Sequence, residues 1–64
     1  MTVISEYMGD GEYANRKASI RKDGDKTYVV KIQDNEVVEE CDVSDHSIYY
    51  AEDAAENWVM GINS

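Results

Sequence analysis

Apolar and polar residues alternate along the first 43 positions of this 64-residue chain, and after that apolar residues recur every three or four. Gly9-Asp10-Gly11, Asp23-Gly24-Asp25 and Asp34-Asn35 punctuate the alternating part into four pieces of strand length. The first, 2–8, mixes β-branched and aromatic residues and can use either face. The second, 13–22, sets Ala14, Arg16, Ala18 and Ile20 against Asn15, Lys17, Ser19 and Arg21. The third, 26–33, sets Tyr28, Val30 and Ile32 against Thr27, Val29 and Lys31. The fourth, 36–43, sets Val37, Glu39, Cys41 and Val43 against Val38, Glu40 and Asp42. Side chains two apart share a face of a strand, so each piece has a candidate inner row.

Turn lengths decide which rows agree. A two-residue turn at Asp34-Asn35 predicts Ile32 opposite Val37 and Tyr28 opposite Cys41. An odd-length turn around Asp23-Gly24, with glycine supplying the positive φ, predicts Ala18 and Ile20 on the side of Tyr28 and Val30. The expected core face is therefore Ala18, Ile20, Tyr28, Val30, Ile32, Val37 and Cys41. Val29 and Val38 fall on the outer face, and Glu39, on the inner face, marks an edge.

From Ile48 the period changes. Apolar residues at 48, 51, 54/55, 58 and 62 predict one helix over about 48–62. Ser47, or Asp45 before it, supplies the N-cap, Glu52 and Asp53 occupy the early turns, and Gly61 stops the helix. Ala51, Ala54 or Ala55, Trp58 and Ile62 are expected on the sheet. Trp58 is expected to fill most of the core at about 3 kcal/mol, enough that Trp58→Ala unfolds the domain. The fold class is α+β: one domain over 1–64, an antiparallel meander of three to four strands with a C-terminal helix on one face.

Charge sharpens the picture. All six basic residues lie between Arg16 and Lys31, and nine of the fourteen carboxylates follow Ile32, for a net charge of −8. Such a chain is a poor ligand for nucleic acid or an anionic membrane, whose phosphates need Lys and Arg. It suits a protein partner with a basic surface. Cys41 is the single cysteine, so no intramolecular disulfide forms. The N-terminal residues carry no basic, apolar leader, and no run approaches a membrane span. The expected setting is the cytoplasm.

Candidate chemistry is sparse. One Cys and one His, Cys41 and His46, do not supply zinc spacing, and the register points Cys41 inward, away from nucleophilic use. Asp23-Gly24-Asp25 lacks the later ligands of a calcium loop and reads as a turn. No cofactor, metal or catalytic set is expected, and the reading is non-enzymatic. The acids on the sheet, Glu40 and Asp42, and on the helix, Glu52, Asp53 and Glu56, are the candidate partner-binding residues. Tyr49 joins them, because Tyr49 and Tyr50 cannot both face the sheet and exposed tyrosine suits interfaces.

The stretch His46–Ile62, with Tyr-Ala-Glu-Asp-Ala-Ala-Glu-Asn-Trp-Val at 50–59, resembles small uncharacterised proteins of bacteriophages, particularly those of marine cyanobacteria. The resemblance covers about a quarter of the chain. It implies a viral accessory protein that modulates a component of the host, and carries no site residue over. Three readings follow: a binding protein acting on a host protein, a nucleic-acid mimic that inhibits a DNA- or RNA-binding enzyme, and a self-associating module forming a homodimer.

Overall fold

In a computed structural model that describes residues 2–62, the chain forms four strands and then a helix. The strands are β1 (Thr2–Met8), β2 (Arg16–Asp23), β3 (Lys26–Gln33) and β4 (Glu36–Asp42), and the helix is α1 (Ile48–Met60). A single 3₁₀ turn, Gly11–Tyr13, lies between β1 and β2. The sheet is an antiparallel meander in the order β1-β2-β3-β4, as the alternation predicts. No helix among the described residues is long and apolar enough to cross a membrane.

Both tight hairpins follow from φ. Asp34 and Asn35 hold φ of 54° and 66°, the doubly left-handed backbone of a type I′ turn, and Ile32 pairs with Val37 as expected. Asn15 fixes that turn from outside: its carbonyl accepts from Asp34 N–H at 3.0 Å and its amide donates to Asp34 Oδ1 at 2.9 Å. In the β2–β3 turn Gly24 alone has positive φ, at 61°, and Asp23 pairs with Lys26. That is a two-residue loop with glycine first, not the odd-length turn expected from Asp23-Gly24-Asp25.

One residue of difference reverses a face. Ile20 pairs with Val29, so Val29 enters the core at 1% exposure instead of facing outward. Tyr28, Val30 and Ile32 pass to the opposite face, and Val37 goes with them. In β4 Val38 is an extra, bulged residue between the Ile32–Val37 and Lys31–Glu39 pairs. The bulge restores the phase: Cys41 pairs with Val29, not Tyr28, and lies on the core side with Val43. Of the seven expected core residues, Ala18, Ile20 and Cys41 face the helix.

The helix begins and ends where the sequence indicates. Ser47 Oγ accepts from Tyr50 N–H at 3.3 Å as the N-cap, and Gly61 closes the C-terminus in the left-handed region at φ 72°. A Cβ at Gly61 would run into the ring of Tyr13, so this position needs glycine for both backbone and space. Ala51, Ala55 and Val59 are buried against Ala18, Ile20, Val29 and Val43. Ile62, expected on the sheet, lies beyond the cap and is half exposed.

Trp58 also departs from expectation. It packs at the edge of the core, only partly buried, while Ile20, Val29 and Val30 are the largest fully buried side chains. Trp58 Nε1 donates to Lys17 O at 3.1 Å, and Arg16 donates back to Trp58 O at 3.1 Å. The Arg16 guanidinium sits 4.3 Å from the Trp58 ring and 4.7 Å from the Tyr13 ring, with Lys31 Nζ 5.5 Å from Trp58. A cation at the carbonyl end of a helix also complements its dipole. Trp58 thus acts as a clasp between the C-terminus of α1 and the start of β2.

Candidate functional site

The six candidate binding residues do not form one surface. Glu52, Asp53 and Glu56 lie on α1, whereas Glu40 and Asp42 belong to β4, in register with Val30 and Tyr28 on the face away from the helix. Tyr49 stands in the first helical turn at 74% exposure.

The helix acids gather over the β1 edge. Tyr7, opposite Ala18, leans against the core on the helix side and holds its phenol above the ordinary tyrosine range. Partial burial is the main cause, followed by the field of Glu52, with further contributions from Glu56 and Asp53; a Ser5 hydrogen bond opposes them. One hydroxyl therefore feels all three carboxylates. Among the described residues no Lys or Arg lies within ion-pair distance of them, the sole ion pair being Lys31–Glu39 at 3.6 Å. Tyr50 is exposed, like Tyr49, and stacks on His46 with centroids 3.9 Å apart and planes at 15°. The result is a negative stripe on α1 beside Tyr7 of β1, with aromatic residues at its N-terminal end.

The β4 carboxylates have other work. Asp42 accepts from both the backbone N–H and the hydroxyl of Ser44, and these bonds hold its carboxyl below the usual range. Ser44 Oγ accepts from Thr27 N–H at 2.9 Å, so Asp42 stabilises the junction between β3 and the chain leaving β4. On the helix side of the same strand Cys41 Sγ donates to Glu39 Oε1 at 2.7 Å. That bond, with partial burial and the carboxylate charge, raises the thiol above its ordinary value and keeps it protonated. It also lowers Glu39, with help from Lys31.

This geometry gives Cys41 and His46 separate duties. The thiol serves Glu39 and the imidazole serves Tyr50. Among the described residues no group of three or more His, Cys, Asp or Glu side chains is arranged to hold a metal ion. A shallow concavity of about 180 Å³ lies over β1 and β2, with Glu6, Lys17, Arg21 and Ile32 among the residues that line it and Tyr7 and Ala18 also touching it. No protein-family model, curated protein or solved structure matches the chain.

Sequence reasoning named the helix acids and Tyr49 but did not set Tyr7 against the core beneath the helix. The signal was present: in β1 only Ser5 and Tyr7 alternate opposite Ile20 and Ala18, so pairing Thr2–Met8 with the second strand would have brought Tyr7 under the helix.

Proposed function

We propose that this chain is a small, non-enzymatic binding protein whose α1–β1 surface docks a partner protein with a basic surface. The observation that carries the reading is the three-carboxylate field of Glu52, Asp53 and Glu56 over Tyr7, without an ion-pair partner among the described residues and flanked by exposed Tyr49. Uncompensated charge steers a complementary partner and sets its register, and a rigid aromatic beside it contributes buried area at small entropic cost. The resemblance of α1 to cyanophage proteins adds a setting: a phage-encoded modulator acting in the host cytoplasm on a host protein.

A nucleic-acid mimic is the competing reading. It needs carboxylates along one continuous path, and here Glu40 and Asp42 are separated from the helix acids by the sheet. Capture from a cyanobacterial lysate, with elution by rising salt, tests the proposal. The wild-type chain is expected to retain a basic protein, and Glu52→Gln/Asp53→Asn/Glu56→Gln to lose it. Tyr49→Ala is expected to weaken retention with little change in salt dependence. Equal capture by the triple variant overturns the reading; a nucleic-acid-binding enzyme released by modest salt and indifferent to Tyr49→Ala favours mimicry.

A further inference from the structure

The face of the sheet away from the helix is built differently. Register places three columns side by side on it: Lys17, Ser19 and Arg21 on β2; Tyr28, Val30 and Ile32 on β3; Glu40 and Asp42, with Val37, on β4. An apolar column thus runs between a cationic and an acidic one. Val30, at its centre, is 1% exposed although no helix covers it, and Val37 at the margin is 58% exposed.

We propose that this face pairs with the same face of a second copy, the two related by a two-fold axis along β3. The axis lays Tyr28, Val30 and Ile32 on their own counterparts. It brings Arg21 of each copy over Asp42 of the other, Ser19 over Glu40, and Lys17 over Val37, two residues along from Glu40's level on β3. A surface whose halves carry opposite charge about an apolar stripe is self-complementary under that operation. Charge bookkeeping agrees: Lys17, Arg21 and Lys26 nearly balance Glu6, Asp23, Glu40 and Asp42 on this face. Almost all of the −8 therefore lies elsewhere and stays in solvent when two copies meet.

Size and edges point the same way. An axis along β3 overlays β2, β3 and β4 and leaves β1 outside, so three strands about 4.8 Å apart and seven to eight residues long bury on the order of 700 Å² between two copies. That is the size of a weak, transient dimer rather than a permanent one. Edge-to-edge pairing is obstructed instead: the extra residues Ile4 in β1 and Val38 in β4 distort both edge ladders, and Glu39 and Glu40 charge the second.

Sedimentation over about 10 µM to 1 mM, the span in which an interface of this area dissociates, is the test. The mass is expected to rise from 7.3 kDa toward twice that value. Arg21→Asp and Asp42→Arg alone should each weaken dimerisation by about tenfold or more, and the two together should restore it. Each variant is first shown by circular dichroism to keep the fold, since Asp42→Arg also gives up the Ser44 bonds. Ile32→Lys, on a partly exposed side chain, should abolish it with the fold intact by circular dichroism. A monomer at every concentration overturns the proposal. So does dimerisation unaffected by Ile32→Lys, or single charge reversals that the double variant fails to rescue.

Discussion

Val29 and Val30 are neighbours in β3 with the same 1% exposure, yet they stand in different surroundings. Val29 belongs to the layer between sheet and helix, where Ala18, Ile20, Val43, Ala51, Ala55 and Val59 pack as small aliphatics. Val30 faces the other way, paired with Ser19 and Glu40. The contrast teaches that burial in so small a domain has two sources. One face is dry because a helix covers it. The other has a sheltered centre within a charged, open surface, and it keeps its polar neighbours hydrogen-bonded, as Ser19 Oγ is by Arg21 Nε at 2.9 Å.

The largest effect should come from the covered face. Ile20→Ala removes a fully buried side chain and is expected to cost about 3 kcal/mol in urea unfolding, a large share of what 64 residues provide. Next comes the pair that separates the faces. Val29→Thr places a hydroxyl among aliphatics and should cost about 2 kcal/mol, whereas Val30→Thr, beside Ser19, should cost less than about 1 kcal/mol. Equal costs would break the contrast. Trp58→Phe tests the clasp: it loses the bond to Lys17 O and should destabilise by about 1 kcal/mol.

Acid should have the smallest effect. Glu39 and Asp42 both titrate below their ordinary values, so their stabilisation is present above the unfolded carboxylate range of about pH 4. It fades as pH falls through their lower folded values. Both groups are exposed, so the melting temperature should decline only gently below pH 4, and Glu39→Gln should flatten part of that decline. Tyr7 works at the other end: its raised value means stability is complete below about pH 10 and lost as pH rises through the folded value.

How much of this was legible depended on the kind of signal. Glycine and Asx clusters gave three strands to within a residue and a second strand that starts at Arg16 rather than 13, and the change of period at Ile48, the Ser47 cap and the Gly61 stop gave the helix. Faces were harder, because they depend on counting turn residues. Reading Asp23-Gly24-Asp25 one residue too long moved Val29 out and Tyr28, Val30 and Ile32 in, and nothing in the sequence marks Val38 as a bulge. Trp58 was misplaced for a related reason: helical spacing gives its side of α1 but not the cations of Arg16 and Lys31 at its ring. The candidate acids were legible as residues, though their division between two faces follows from register and was not.

The most direct test of separate roles for the two surfaces is amide chemical-shift mapping with an oligolysine peptide as a basic probe, in dilute protein. Perturbations centred on Tyr7, Tyr49, Glu52, Asp53 and Glu56, with Val30 and Glu40 unmoved, are the predicted result. Perturbations centred on Glu40 and Asp42, or spread evenly over both faces, would contradict it.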